Sequence, residues 1–202
     1  DLAVNFHTLD GTVYALNGVD FNVRRGEVLG LVGETGCGKT VTSLAVLKLL
    51  PDNAEVVKGR IVFEGHDILN IGAEDVAKLR GRRISMIFQD PASSLNPVFP
   101  IGTQLLDVLR IYYPCSGEDG LHKIAQEKLS IAELPDPESV MRLYPHELSG
   151  GMQQRVIMAV ALSSSPSLVI ADEPTTALDV TIQAQLLALL KKLKDALGLS
   201  VL

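Results

Sequence analysis

A glycine-rich segment near the N-terminus places the strongest constraint on how this chain can fold. Residues 33–40 fit the phosphate-loop pattern of a glycine, four residues and then Gly-Lys-Ser/Thr. An apolar run at Val28–Val32 precedes the segment and predicts a strand, and the residues after it predict a helix over 41–50 that stops at Pro51. This order predicts an α/β fold with a loop that cradles phosphate. The eight loop residues are Gly33, Glu34, Thr35, Gly36, Cys37, Gly38, Lys39 and Thr40.

The chemistry of this segment suits a nucleotide. Backbone N–H groups at a helix N-terminus point outward, and the helix dipole favours an anion there. Glycines allow the chain to wrap closely around a phosphate group. Lys39 can place a positive charge on the terminal phosphates, and the Thr40 hydroxyl can bind Mg²⁺. The segment therefore predicts ATP and Mg²⁺ as ligands.

Composition narrows the classes of function. The formal net charge of −6 argues against nucleic acid as the main partner, because phosphate-backbone binding normally needs a basic surface. The apolar runs are too short to span a membrane. Cys37 and Cys115 lack the spacing of metal ligands, which favours two reduced thiols.

Strands and helices alternate along the chain, which predicts a mostly parallel sheet covered by helices. The region before residue 26 predicts an N-terminal antiparallel β subdomain, with a turn at Asp10-Gly11 and a strand at Val19–Val23. Residues 94–147 lack strand-like runs and predict a helical subdomain inserted into a single domain that covers residues 1–202. Further strands are predicted at 59–64, 84–88, 167–171 and 200–202, and further helices near 74–82, 102–112, 121–134, 150–163 and 180–197.

Two acids follow an apolar strand in the second half of the chain. Leu168–Ala171 is followed directly by Asp172 and Glu173. Acids at the carboxyl edge of a parallel sheet face the ligand crevice. Asp172 can hold Mg²⁺, and Glu173 can orient or deprotonate an attacking water. The alternative is an acidic loop that caps the next helix.

A second helix start, at Ser149, could also hold an anion. Ser149 is a suitable N-cap residue, and Gly150 and Gly151 leave the first-turn N–H groups open. Taken from these residues alone, an ordinary serine-capped helix is the favoured interpretation, because one nucleotide does not need two phosphate cradles.

Four elements in order resemble the nucleotide-binding domain of ATP-binding cassette (ABC) proteins. They are the phosphate loop, Gln89 after an apolar strand, Leu-Ser-Gly-Gly-Met-Gln-Gln from residue 148, and Leu-Val-Ile-Ala-Asp-Glu-Pro from residue 168 with Ala-Leu-Asp following. The resemblance covers nearly the whole chain and implies the ABC ATPase fold, a P-loop NTPase core. It implies that Ser149, Gly150 and Gly151 complete the γ-phosphate site of a second, facing subunit.

The resemblance also implies a role for each further motif residue. Lys39, Gln89 and Glu173 would be catalytic, with Glu173 as the general base. Thr40, Gln89 and Asp172 would serve Mg²⁺, and Asp179 would lie at the subunit contact. An aromatic residue of the family stacks on adenine; Phe6 stands at the matching spacing, with Tyr14 as the competing candidate.

Longer segments resemble one branch of the family, the ATPase subunits of dipeptide, oligopeptide and nickel importers. These segments are residues 88–97, 144–147 and 172–185. Members carry a histidine after the strand that begins near Ser200, whereas this chain stops at Leu202. The resemblance therefore implies a C-terminally truncated domain that binds ATP better than it hydrolyses it.

The expected function is thus ATP binding and hydrolysis that energises a membrane importer, most simply for di- or oligopeptides. The implied partners are transmembrane permease subunits, a second ATP-binding subunit and, indirectly, a solute-binding protein. The implied location is the cytoplasmic face of the membrane. Two alternatives remain: a soluble ABC ATPase in DNA repair or translation, and a regulatory nucleotide-binding module without turnover.

Overall fold

The computed structural model describes residues 1–176 and 178–202, with the backbone alone described at residues 91 and 92. The strands are β1 (Leu2–Thr8), β2 (Gly11–Val19), β3 (Ala54–Lys58), β4 (Val62–Phe63), β5 (His66–Asp67), β6 (Ile84–Ile87), β7 (Leu168–Ala171) and β8 (Ser200–Val201). The helices are α1 (Lys39–Val46), α2 (Ala73–Leu79), α3 (Pro91–Ser94), α4 (Ile101–Tyr112), α5 (Gly117–Ile131), α6 (Pro137–Arg142), α7 (Gly150–Ala161) and α8 (Val180–Leu197), with a 3₁₀ turn at Pro145–Glu147.

The N-terminal sheet is antiparallel, with strand order β2-β1-β3. The turn at Asp10-Gly11 joins β1 to β2, as the sequence predicts, and Gly11 has a φ of 129° that only glycine adopts freely. One face of the sheet buries Leu2, Val4 and Leu16 against Ala45 of α1. This packing fixes the helix that follows the glycine-rich loop against the sheet.

The second sheet is parallel, with strand order β6-β7-β8. β6 and β7 pair residue for residue, from Ile84 opposite Leu168 to Ile87 opposite Ala171. The main hydrophobic core joins this sheet to α4, α5, α7 and α8, and Ile87, Val169 and Leu199 lie fully inside it. The sequence-based expectation of an α/β fold with a parallel core sheet and a separate antiparallel sheet is confirmed.

The described residues between 91 and 147 form helices and no strand. Helices α4 and α6 approach closely, because an added Cβ at Gly102 would lie 2.7 Å from the carbonyl oxygen of Met141. The long helix α5 packs on α7, which belongs to the core that carries the parallel sheet.

Helices α5 and α7 each supply a basic side chain that binds the C-terminus of the other helix. Lys128 of α5 donates from Nζ to the carbonyl oxygen of Leu162 at the C-terminus of α7 (3.2 Å). Arg155 of α7 donates from Nη1 to the carbonyl oxygens of Ala132 (3.3 Å) and Glu133 (3.1 Å) at the C-terminus of α5. Cations stabilise helix C-termini because the last carbonyl groups have no partner within the helix. We call this pair of contacts the reciprocal caps.

Glu133 extends the reciprocal caps to α8. Its carboxylate lies 2.7 Å from Nζ of Lys192 and 3.4 Å from Nη1 of Arg155. The hydrogen bond from Lys192 is the main reason why the pKa of Glu133 is lowered. A lowered pKa in the folded state means that the carboxylate contributes stability near neutral pH, and this contribution is lost as pH falls through the lowered pKa.

Three sequence-based strand predictions are wrong. Val28–Val32 makes a single bridge, from Val28 to Val201, and Val32 is 94% exposed. The strand predicted at Val19–Val23 stops at Val19, which lies opposite Leu2 at the start of β1.

The strand predicted over 59–64 shrinks to Val62–Phe63. Gly59 has a φ of 106°, which breaks the extended backbone after β3. Asp67 Oδ1 then accepts the amide N–H of Ile61 (3.3 Å), so that amide does not enter a sheet. The predicted helices are present with ends shifted by a few residues, as in α1, which ends at Val46.

We expect the substitution Arg155→Met to lower the free energy of unfolding by about 1–3 kcal/mol, because the carbonyl groups of buried Ala132 and of Glu133 lose a charged donor. The Arg155 side chain is only 16% exposed. Arg142→Met is the matched control, since Arg142 is 74% exposed in a surface pair with Glu138 and should change stability by less than about 0.5 kcal/mol. Urea denaturation of both variants measures the difference, and equal losses would contradict the capping role.

Candidate functional site

The glycine-rich loop forms a turn that folds back on itself before α1. Gly36 and Gly38 have φ values of 84° and 98°, a conformation that other residues rarely adopt. Gly38 also lies against β2, because an added Cβ there would be 2.9 Å from the carbonyl oxygen of Ala15 and 2.6 Å from the Leu16 side chain. The second glycine of the predicted pattern is therefore required by both backbone angle and space.

Lys39 points back into this loop. Its Nζ donates to the carbonyl oxygens of Gly33 (2.8 Å) and Glu34 (2.9 Å) and lies 4.0 Å from Sγ of Cys37. The same Nζ lies 3.4 Å from Oε1 of Glu173. The lysine thus joins the loop to the acid that follows β7. Thr40, the next residue, is exposed on the first turn of α1.

Register explains why Gln89 and Glu173 meet. Ile87 and Ala171 are paired at the carboxyl ends of β6 and β7, and each predicted site residue follows two positions later. Gln89 Nε2 donates to Oε2 of Glu173 (2.9 Å). Parallel strands bring the residues beyond their carboxyl ends to one edge of the sheet, and here that edge carries both side chains.

Thr176 is a member of this site that sequence reasoning missed. Its Oγ1 donates to Oε2 of Glu173 (3.1 Å), and its backbone N–H donates to the carbonyl oxygen of Glu173 (3.1 Å). No local sequence signal indicates this contact, because it forms only through the turn that follows β7. Glu173 itself has a φ of 46°, a strained angle for a residue with a side chain.

Asp172 is 6% exposed, and its backbone N–H donates to the carbonyl oxygen of Ile87 (3.0 Å). Among the described residues, no cluster of three or more His, Cys, Asp or Glu side chains could hold a metal ion. Mg²⁺ in nucleotide sites is held by one or two protein oxygens together with phosphates and water, so the predicted set of Thr40, Gln89 and Asp172 fits the chemistry of Mg²⁺ without such a cluster.

The segment around Ser149 lies apart from the phosphate loop. Ser149 caps α7 by accepting the N–H of Met152 at Oγ (3.3 Å), and Ser149 and Gly150 are exposed. An added Cβ at Gly151 would lie 2.9 Å from the side chain of Ile182. No hydrogen bond or ion pair between described residues joins Ser149, Gly150 or Gly151 to residues 33–40 of the same chain.

Within the single chain, Asp179 caps a helix. It is the N-cap of α8, and its Oδ1 accepts the N–H of Ile182 (3.0 Å). Its carboxylate is exposed and lies directly after Leu178, whose side chain borders Gly150. Asp179 and the first turn of α7 therefore belong to one surface.

The two aromatic candidates for stacking on adenine differ in exposure. Phe6 is partly buried in the cluster that also contains Val41 from the first turn of α1. Tyr14 is 74% exposed on β2, one residue before Ala15, which borders Gly38. Both therefore lie on strands that border the loop or its helix.

A cleft of about 900 Å³ is lined by residues of the N-terminal sheet, of the two-stranded sheet formed by β4 and β5, and of the parallel sheet, with Leu2, Phe63 and Leu168 among them. It includes none of the predicted site residues. No helix in the described part of the chain is long and apolar enough to cross a lipid bilayer.

The comparisons with known proteins agree with this geometry. Residues 16–176 match the family described as ABC transporter, and the chain belongs to that family. The chain is 48% identical over its full length to a probable peptide ABC transporter ATP-binding protein, y4tR, of Sinorhizobium fredii, and covers 60% of that protein. It is 47% identical over its full length to the oligopeptide transport ATP-binding protein OppD of Bacillus subtilis, covering 56% of it.

Solved structures give the same result. The ATP-binding cassette MJ0796, in a dimeric post-hydrolysis state with ADP and phosphate, aligns with a TM-score of 0.84 and 29% identity over 99% of this chain and 83% of that one. CbiO1 from Clostridium perfringens aligns with a TM-score of 0.80 over 99% of this chain and 76% of that one. The chain spans about 60% of the length of the curated relatives, y4tR and OppD among them.

We expect alkylation of Cys37 to lower ATP affinity by at least about tenfold, because a bulky adduct would fill the loop. The thiol is exposed, and its Sγ would lie 2.4 Å from a Cβ added at Gly33, so it borders the loop backbone. ATP should protect the thiol from N-ethylmaleimide.

Two single-cysteine variants provide the comparison for this experiment. Cys115→Ser keeps Cys37 and should remain sensitive to the reagent, whereas Cys37→Ser keeps the exposed Cys115 and should be resistant. Equal sensitivity of the two variants in a nucleotide-binding assay would show that residues 33–40 do not hold the phosphates.

Proposed function

We propose that this chain is the ATP-binding and ATP-hydrolysing part of a subunit that energises a membrane importer for di- or oligopeptides. The observation that carries the proposal is the convergence on Glu173 of three side chains from separate segments. These are Lys39 from the glycine-rich loop, Gln89 from the edge of β6, and Thr176 from the turn after β7.

The proposed chemistry is transfer of the γ-phosphoryl group to water. Residues 33–40 hold the phosphates, and Lys39 neutralises charge on the terminal ones. Bound Mg²⁺ supplies further charge neutralisation, with Thr40, Gln89 and Asp172 as the proposed residues around it. Glu173 accepts a proton from the attacking water as general base.

The ion pair between Lys39 and Glu173 indicates that phosphate binding comes before Glu173 acts as a base. When a γ-phosphate binds, it competes with the carboxylate for Nζ of Lys39, because both are anions that the same ammonium group can pair with. Glu173 keeps its contacts with Gln89 and Thr176, which hold the carboxylate at the sheet edge. The base is thereby oriented towards water rather than towards the lysine.

The exposed first turn of α7 supports a second subunit as partner. Ser149 and Gly150 are exposed and Gly151 is partly buried at this helix N-terminus, and no hydrogen bond or ion pair between described residues joins the three to the phosphate loop of their own chain. We assign them to the γ-phosphate of the facing subunit, with Asp179 at the contact. The MJ0796 cassette, which shares the fold, is a dimer.

Phe6 is assigned to stacking on adenine, with Tyr14 as the competing residue. Phe6 shares a hydrophobic cluster with Val41 of α1, and a ring at the edge of that cluster can stack on a base without a hydroxyl group. Tyr14 offers a more exposed ring on the neighbouring strand.

A rigid apolar turn next to the site supports docking to permease subunits. Val98 and Phe99 are 69% and 49% exposed. Gln104 holds their turn in place, since its Nε2 donates to the carbonyl oxygens of Asn96 (2.9 Å) and Phe99 (2.8 Å). Adjacent exposed apolar side chains form a contiguous apolar patch, and patches of this kind support an interaction site.

The names of the relatives support the kind of cargo. The y4tR protein carries the description of a probable peptide transporter component, and OppD that of an oligopeptide transport component. A permease docked at Val98 and Phe99 places the subunit at the cytoplasmic face of the membrane. A solute-binding protein completes the proposed system, without contact to this chain.

We expect Glu173→Gln to lower the ATP turnover rate by about 10²–10⁴-fold, because the amide cannot accept the proton of water. ATP binding should persist or strengthen, since Lys39 no longer has an anionic partner in the protein. The variant should also form dimers on addition of ATP, measured by light scattering.

The control for this experiment is Glu127→Gln, which neutralises an exposed carboxylate on α5 and should leave turnover unchanged. The parent protein, assayed at its full length, must hydrolyse ATP for the proposal to stand. A protein that binds ATP without any turnover would instead be a regulatory nucleotide-binding module.

We expect Val98→Asp and Phe99→Asp to abolish co-purification with the permease subunits when all subunits are expressed together, because a buried charge at the contact is costly. Val57→Asp is the control, as Val57 is 53% exposed on β3 of the N-terminal sheet. Retention of both variants on the permease at the level of the control would contradict docking at this turn.

A further inference from the structure

In the described part of the chain, the buried side chain of Gln154 has no hydrogen-bond partner. Gln154 on α7 is 1% exposed, and among the described residues neither its Oε1 nor its Nε2 has a hydrogen-bond partner. A buried amide without partners is costly and uncommon in folded proteins. Its presence therefore calls for a physical reason.

The position of Gln154 on its helix shows what lies nearby. It follows Gly150 and Gly151 by four and three residues, so it lies on the same face of α7 one turn further along. That face borders Leu178 and Ile182, because added Cβ atoms at the two glycines would lie 3.3 Å and 2.9 Å from their side chains. The amide is therefore buried on the side of α7 that faces the end of the segment joining β7 to α8.

The neighbouring glutamines show how this chain uses such amides. Gln153 Nε2 donates to the carbonyl oxygens of Pro145 (2.8 Å) and Leu148 (3.3 Å), which fixes the turn before α7. Gln183 Nε2 donates to the carbonyl oxygens of Thr175 (3.1 Å) and Leu178 (2.9 Å), which fixes the segment after β7 from the α8 side. Gln154 lies on the face of α7 whose glycines border Leu178, near the end of this segment.

This segment also carries the reacting carboxylate. Glu173 stands at its start with a φ of 46°, and Asp179 ends it as the N-cap of α8. Strained backbone angles are found mainly at active sites and in segments that switch between arrangements.

We propose that Gln154 is a positioning residue for ATP hydrolysis, whose amide binds the backbone of the segment after β7 when two subunits close on ATP. In the closed state the segment is then held from both sides, by Gln183 and by Gln154, and Glu173 is fixed relative to the first turn of α7. In the nucleotide-free chain the amide stays buried without partners. This role presupposes the ATP hydrolysis proposed above.

The test uses Gln154→Met, which keeps the length of the side chain and removes its polar atoms. We expect the melting temperature of the nucleotide-free variant to rise by about 3 °C, because an unpaired buried amide is replaced by an apolar group. We expect kcat for ATP to fall about tenfold with KM unchanged, because the lost contact exists only in the closed state.

Met158→Leu is the matched control, since Met158 is 3% exposed one turn further along α7 and the substitution conserves volume. It should change neither quantity appreciably. Hydrogen exchange of peptides covering 172–176 gives a readout without turnover: ATP should protect them in the parent and in the control but not in Gln154→Met.

The outcomes separate the two proposals. Unchanged kcat and unchanged ATP protection in Gln154→Met would overturn the positioning role while leaving the ATPase assignment intact. A lower melting temperature would also overturn it, because the amide would then already be satisfied in the nucleotide-free protein. No ATP turnover in the parent would overturn both.

Discussion

The site depends on the pairing of β6 with β7. Because Ile87 lies opposite Ala171, the two residues that follow each strand reach the same edge of the sheet together, and Gln89 comes within hydrogen-bond distance of Glu173. Lys39 approaches from a third segment, held by its own loop through the carbonyl oxygens of Gly33 and Glu34. A shift of one residue in this register would turn one of the two side chains away from the other, since alternate residues face opposite sides of a sheet.

Local patterns of the sequence predict the elements that bear on this site. The glycine-rich loop, the acids after β7 and the serine-capped helix each depend on a few adjacent residues, and the structure has a turn, a sheet edge and a helix N-terminus at these places. The sequence could not indicate that Lys39 pairs with Glu173, nor that Thr176 bonds to it. The first contact depends on how separate segments meet and the second on the local turn after β7, and periodicity carries no information on either.

The strand errors have the same origin. An apolar run such as Val28–Val32 consists of residue types that suit a strand. A strand also needs a neighbouring strand whose backbone forms hydrogen bonds with its own N–H and C=O groups. Beyond Leu29, whose N–H donates to the carbonyl oxygen of Val201, the run has no such neighbour in the described chain. The sequence pattern could not predict the burial of Gln154 either, because a glutamine on a helix is normally exposed. Only the packing of the structure shows that this side chain is buried.

The reciprocal caps limit how α7 can move. Lys128 and Arg155 each neutralise the end of the other's helix, so sliding one helix along the other by a turn would strip both C-termini of their cations at once. Rotation of α5 and α7 together as one rigid body leaves both contacts intact. If a partner protein displaced α5, α7 would then move with it, and the serine-capped N-terminus of α7 would be displaced too. A displacement of that N-terminus would move α5 in the same way.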